Sequence, residues 1–196
     1  FICLHRKNGL NTLLKDYSEL GRFIGTVVML WRKSSGEMLQ RIEMDRQVID
    51  EVFGISKDQP LTSVEQGLSD PHRGGRAVAI LSFSDQKGYL NKLIYKPKDM
   101  AVDVAYHNLI ETINKRSKNP SLRRLNIYNG KTYGYMEYVK HKLAKDSHEI
   151  NRFYKNAGKV TAILHLLGCT DCHHENLIAC GDQLNLIDTE TLLEGE

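Results

Sequence analysis

The feature that most constrains this chain is a change of apolar rhythm along it, from helical spacing to short runs of strand length. From Leu10 to Leu39 the residues Leu13, Leu14, Tyr17, Leu20, Phe23, Ile24, Val27, Val28, Leu30 and Trp31 recur every three or four positions, the stripe of an amphipathic helix. Met38, Ile42, Val48, Ile49 and Phe53 extend the stripe beyond an expected break at Ser34–Gly36, and Gly54 is placed as a helix stop. A polar stretch from Pro60 to Gly75, with Pro71 and the pair Gly74, Gly75, reads as a loop. Ala77–Phe83 and Leu90–Tyr95, separated by Asp85-Gln86-Lys87-Gly88, then read as a hairpin that ends at Lys96-Pro97.

A helix is expected over Val102–Ile113, and a second hairpin from Leu122–Tyr128 and Lys131–Val139 about a type I′ turn at Asn129-Gly130. Phe153–Leu167 reads as a further helix, stopping before Gly168. After the polar cluster Cys169–Asn176 come two short strands, Leu177–Ala179 and Leu184–Ile187. Helices, hairpin, helix, hairpin, helix, polar loop and two mini-strands define an α+β layout. The expected division is a helical lead-in over 1–58 and a core over 59–196. The start at Phe1 and the stop at Glu196 read as a fragment of something longer.

Composition removes several alternatives. Lys+Arg 27 against Asp+Glu 24 gives a net charge of +3, too little to indicate a nucleic-acid partner. Charge-free runs such as Phe23–Trp31 fall far short of the ~20 residues of a membrane helix, and no secretory signal opens the chain. A cytoplasmic location is therefore expected. Cys3 stands alone while Cys169, Cys172 and Cys180 crowd together, which is no disulfide framework, so reduced thiols are expected.

The densest chemistry lies in Thr170-Asp171-Cys172-His173-His174-Glu175-Asn176, followed by Asp188-Thr189-Glu190. Phosphoryl transfer needs a carboxylate near the nucleophile's proton, and an amide oxygen and a second carboxylate that hold Mg²⁺ on the phosphates. In protein kinases the base Asp and the Mg²⁺-binding Asn stand five apart, with another Asp beyond the next hairpin. Asp171, Asn176 and Asp188 reproduce that spacing. Turn formation alone would also use Asp, Asn and His here. Cys169, Cys172, His173, His174 and Cys180 also offer zinc ligands, though without the second separated pair of a structural site.

A phosphate-binding cation is expected at Lys96, on the same strand face as Ile94, with Glu111 of the following helix as its partner. Asp70-Pro71-His72-Arg73-Gly74-Gly75-Arg76 combines flexible backbone with guanidinium forks suited to phosphate oxygens.

Together, Asp70-Pro71-His72-Arg73-Gly74-Gly75-Arg76, Leu93-Ile94-Tyr95-Lys96-Pro97-Lys98, Thr170 to Ala179 and Leu186-Ile187-Asp188-Thr189-Glu190-Thr191 resemble the dehydratase domain of class II (LanM-type) lanthipeptide synthetases. The likeness runs from about Tyr17 to Leu193, and Cys-His-His-Glu-Asn is its most specific part.

The resemblance implies a lipid-kinase-like, bilobal core, with an N-lobe over about 59–140 and the start of a C-lobe over 141–196. It implies ATP-dependent phosphorylation of Ser or Thr in a precursor peptide, then elimination of phosphate to leave dehydroalanine or dehydrobutyrine. Carried over, Lys96 is the ATP-phosphate lysine; Arg73 and Arg76 are cofactor-binding candidates from their guanidinium chemistry, suited to covering the ATP phosphates or receiving a phosphorylated product. Asp171 and His173 form the catalytic pair, Asn176 and Asp188 bind Mg²⁺, and Asp70 and His72 belong to the phosphate-binding region and to elimination. The partners implied are the precursor peptide and the remaining dehydratase and cyclase parts of a larger enzyme. The competing expectation is a catalytically silent kinase-like module that binds nucleotide or leader peptide.

Overall fold

A computed structural model describes residues 8–67 and 74–193. The lead-in forms α1 (Gly9–Asp16), α2 (Ser18–Met44) and α3 (Arg46–Phe53). The break expected at Ser34–Gly36 does not occur. The Ser34 hydroxyl bonds back to the Trp31 carbonyl at 3.1 Å, and Arg41 pairs with Glu37 one turn on. Buried Met38 and Ile42 then seat this half of the helix on the sheet, and packing of that kind outweighs the poor helix propensity of one Gly and two Ser. The chain turns at Asp45 instead, whose carboxylate accepts the Tyr133 and Tyr135 hydroxyls at 2.7 and 3.1 Å. Gly54 ends α3 as expected, at a left-handed φ of 68°.

Five antiparallel strands follow the order β1-β2-β3-β5-β4, where β1 is Leu61–Glu65, β2 Ala79–Ser84, β3 Leu90–Lys96, β4 Ile127–Asn129 and β5 Gly134–Glu137. Strand β1 lies inside the segment read as loop. A register irregularity between Leu61 and Ser63 breaks its alternation, which hides it from a period-two search.

Strands β4 and β5 are shorter than expected, and residues 130–133 form a four-residue loop in place of the two-residue turn. The Asn129 side chain accepts from the Lys131 and Met100 N–H groups, and Lys131 rather than Gly130 takes the positive φ. The Leu122 segment is held as irregular chain because Asn114 bonds the Leu122 carbonyl and the N–H groups of Ser121 and Leu122.

Helix α4 (Ala101–Arg116) follows β3 directly, and α5 (Ser147–Leu166) precedes the hairpin of β6 (Leu177–Cys180) and β7 (Gln183–Leu186). Asp146 caps α5, accepting the Glu149 N–H at 2.8 Å, so the helix starts six residues before Phe153.

Three apolar clusters hold these parts. Met38, Ile42 and Ile49 pack with Leu81, Phe83, Leu93 and Tyr135, and Tyr106, Ile110, Val160 and Leu164 pack with Leu186 and Leu192. The third cluster positions the site. Buried Met100, Leu125, Met136 and Val139 gather Ile94 from the sheet and Ile178 and Ile187 from the hairpin. No helix among the described residues is long and apolar enough to cross a membrane.

Candidate active site

Lys96 is the last residue of β3, opposite Gly134 of β5. A Cβ at Gly134 would lie 2.6 Å from the Met100 sulfur, so glycine there lets the start of α4 press against the strand end. Lys96 is 4% exposed. Its ammonium donates to Asp103 Oδ1 at 3.3 Å and to the Ile187 carbonyl.

Asp103, not Glu111, is therefore the partner of Lys96. With Pro97 ending the strand and α4 starting at Ala101, it is the first turn of the helix that faces the strand end. Glu111 lies further along α4, partly exposed, and pairs with Lys115 at 2.6 Å and Arg124 at 3.3 Å.

Two residues further on, Lys98 bridges Asp188 Oδ1 at 2.9 Å and Glu190 Oε1 at 2.6 Å. Burial pulls the Lys98 ammonium toward losing its proton, but the bonds to Glu190 and Asp188 outweigh it and raise its pKa. Burial likewise pushes the Asp188 carboxyl up, and the charges of Lys96 and Lys98 more than reverse this, holding it below the usual carboxylate value. Asp188 is thus an ionised, half-buried carboxylate between two lysines of the sheet's end.

The loop between α5 and β6 folds on itself around Asp171. The Asn176 amide donates to the Asp171 carbonyl at 2.9 Å and to its Oδ2 at 3.2 Å. His173 Nδ1 accepts the Glu175 N–H at 3.2 Å, which puts the imidazole proton on Nε2, 3.2 Å from Asp171 Oδ1. Asp171 and His173 are exposed, and Asn176 is half-buried. The five-residue spacing thus becomes a closed loop joining a carboxylate, a histidine and an amide.

This loop meets the lysine cluster through the hairpin stem. Ile187 donates its N–H to the Asn176 carbonyl at 2.9 Å while its own carbonyl receives Lys96. Asn176 and Asp188 therefore flank one residue whose backbone binds both the 171–176 loop and the end of the sheet.

Asp70, His72 and Arg73 lie outside the described residues. Arg76 is bound to Glu37 of α2, its Nε at 3.0 Å and Nη2 at 2.8 Å. The thiols expected to be reduced are corrected for one pair: Cys169 and Cys172 form a disulfide, and Cys180 is free and half-buried. That bond removes two ligands from the zinc arrangement, and no cluster of three or more His, Cys, Asp or Glu suited to a metal ion occurs among the described residues.

Asp103, Lys98 and Glu190 were missed as site residues. The available signals were an acidic residue in the first turn of α4 and the Lys-Pro-Lys run at the end of β3.

The family described as Domain of unknown function (DUF4135) matches residues 17–196. The chain belongs to this family. DUF4135 domains are found in LanM-type lanthipeptide synthetases, so the resemblance carried by the four motifs is a family relationship. Among curated relatives, the lacticin 481/lactococcin biosynthesis protein LcnDR2 of Lactococcus lactis subsp. lactis is 29% identical over 199 residues. The alignment covers 97% of this chain and 19% of that protein. The DUF4135 chain thus spans about a fifth of the curated relative it matches.

Proposed function

We propose that this DUF4135 domain is the ATP-dependent dehydratase core of a lanthipeptide synthetase, a lipid-kinase-like bilobal unit acting in the cytoplasm on a precursor peptide. The observation that carries the reading is the meeting at Ile187. A buried lysine from the end of β3 reaches the residue that separates the hairpin from Asp188, and the same residue is bonded to Asn176. Phosphoryl transfer requires such a convergence, because cation, carboxylate and amide oxygen must surround one phosphate chain.

In this reading Asp171 accepts the proton of the Ser or Thr hydroxyl as oxygen attacks the γ-phosphorus of ATP and ADP leaves. His173, donating from Nε2, fixes the orientation of the Asp171 carboxylate. Lys96 is held in place by Asp103 and places positive charge at the phosphates in a shielded position, where it acts most strongly on the transition state.

The residues present suit Mg²⁺. Asp188 is ionised, and Asn176 uses its N–H on Asp171, which leaves its amide oxygen as an acceptor. Asp188 and Asn176 would hold the ion. Bound there with ATP, Mg²⁺ would neutralise charge on the phosphates.

Elimination follows on the phosphorylated residue. A base removes the α-proton, its electron pair forms the Cα–Cβ double bond, and phosphate leaves with the C–O electrons. Asp70, His72, Arg73 and Arg76 supply the right chemical types for that base and for cations on the departing phosphate.

Incubating the complete synthetase with Mg·ATP and its precursor peptide tests the proposal. The expected products carry one added phosphate, then a net loss of one water per modified residue. A peptide that stays unmodified while the protein still binds nucleotide would establish the silent binding module instead.

A further inference from the structure

We propose that the first half of α2 is a docking face for a helix supplied by the same synthetase polypeptide from outside these 196 residues. The inference rests on the course of α2 and on membership of the DUF4135 family, and it stands apart from the phosphoryl-transfer reading.

One apolar stripe runs the length of α2. Leu20, Ile24, Val27, Trp31, Met38 and Ile42 follow one another at intervals of four, three, four, seven and four residues, which keeps them on one side of a helix. The two halves of the stripe have different surroundings. Met38 and Ile42 are each 3% exposed and pack with Leu81, Phe83 and Tyr135 of the sheet. Trp31 marks where that support ends, for its indole N–H donates to the Gln66 side chain, just beyond β1, at 3.1 Å. Upstream of it Leu20, Ile24 and Val27, with Phe23 and Val28 on the flanks of the stripe, are between 41% and 66% exposed. With Trp31 they span about 140° of the helix circumference, a width found on helices that face a core. The stripe therefore outruns the sheet that buries its second half.

Local propensity does not account for the first half being helical. Gly21, Gly25 and the β-branched Ile24, Thr26, Val27 and Val28 are poor helix formers, and a helix of about fourteen residues is marginal in water unless it is packed. Helix α1 meets α2 where a Cβ at Gly21 would lie 3.6 Å from the Leu14 side chain, on the side of α2 away from Phe23 and Val27.

Three arguments fix the occupant. The bare half continues the interface of α2 with the sheet, so its cover extends an existing core. Its intervals of three and four residues form the seam that the ridges of a second helix fill. The curated relative that aligns with 97% of this chain has only 19% of its own length in the alignment, so the domain is joined there to a much longer stretch of further chain. A helix tethered in such a chain meets the stripe at an effective concentration of roughly millimolar, which a free second copy does not match.

The test uses the complete synthetase. A photoreactive benzoylphenylalanine is placed at Val28 and its cross-links are mapped by mass spectrometry, while hydroxyl-radical oxidation reads Trp31 and Met29. Met29 is 63% exposed and lies on the side of α2 opposite the stripe, which makes it the internal reference for Trp31, 58% exposed. Expected are cross-links, in a product of monomer mass, to a stretch of the same polypeptide outside these residues whose apolar positions recur every three or four. Oxidation of Trp31 should be slowed more than about fivefold in the folded enzyme relative to the unfolded chain, and that of Met29 less than about threefold. Cross-links to a stretch without that spacing, to a second copy, to the precursor peptide or only within these residues would overturn the proposal. So would the absence of cross-links, or a Trp31 slowed by less than fivefold. Neither readout uses activity: an enzyme that gives the expected cross-links and protection yet transfers no phosphate upholds the docking face and refutes the kinase reading.

Discussion

Replacing Asp103 by alanine leaves the Lys96 ammonium buried with only a carbonyl to receive it. The two side chains are 5% and 2% exposed and their charged atoms lie 3.3 Å apart. At an effective dielectric of ~20 that separation corresponds to a Coulomb attraction of about 5 kcal/mol, offset by the cost of desolvating both groups. The net worth of the intact pair is therefore small, but removing one partner exposes the other's uncompensated charge, a loss of about 3–5 kcal/mol. Equilibrium denaturation by urea should show that loss for Asp103→Ala. It should also show that Asp103→Leu combined with Lys96→Met costs less than the sum of the two single changes, since neither charge is then stranded. Should Asp103→Ala cost under about 1 kcal/mol, as for an exposed ion pair, the buried pairing and its role in placing Lys96 would be refuted.

In the complete synthetase, Lys96→Met is expected to lower ATP turnover by more than about tenfold, or ~1.4 kcal/mol in the barrier, and a smaller effect would make Lys96 a structural residue only. Asp188→Asn should abolish phosphorylation while circular dichroism stays unchanged, because a neutral amide cannot replace a carboxylate between two lysines and a metal ion; full activity would remove Asp188 from the site. Phosphorylation and elimination should separate, with Asp171→Ala leaving the peptide unmodified and His72→Ala accumulating phosphopeptide in mass spectra; unmodified peptide from His72→Ala would assign that loop to ATP binding. His107, buried on α4, has its pKa pushed down to about 4 by burial and by the charges of Arg124 and Lys96. From about pH 6.5 downward the unfolded chain binds a proton that the folded chain refuses until about pH 4, so stability is full above that window and falls through it as pH drops. Denaturation midpoints of His107→Gln should fall less over that range than those of the parent chain, and equal slopes would refute the assignment.

The parts of the fold legible in the sequence were those whose signal is local. The apolar stripe gave α2 and α3, the runs on either side of Gly88 gave β2 and β3, and the five-residue spacing of Asp171 and Asn176 closed as a hydrogen-bonded loop. Where tertiary contacts decide, the reading fell short. Ser34–Gly36 resembles a break, yet sheet packing carries α2 through it; β1 is a strand because β2 lies beside it; Asn129 bonds Met100 and Lys131 and so builds a longer loop than its Asn-Gly dipeptide suggests. In the site, Lys96 was legible from strand alternation, but its partner depended on how tightly Pro97 and Met100 fold α4 back on β3. That geometry chose Asp103 over Glu111. The Cys169–Cys172 bond was masked by reasoning about compartment, which argues against disulfides in general and cannot weigh two cysteines on one tight loop.

The central claim is that one site, assembled from the end of β3 and the 171–188 segment, moves a phosphoryl group from ATP to a peptide hydroxyl. The most direct measurement is transfer of labelled γ-phosphate from Mg·ATP to the precursor peptide by the complete enzyme, with the modified residue located by mass spectrometry. Label on Ser or Thr of the peptide, lost in Asp171→Ala and in Asp188→Asn, is the result expected here. Label that never reaches the peptide, or that reaches it undiminished in both variants, would contradict the account.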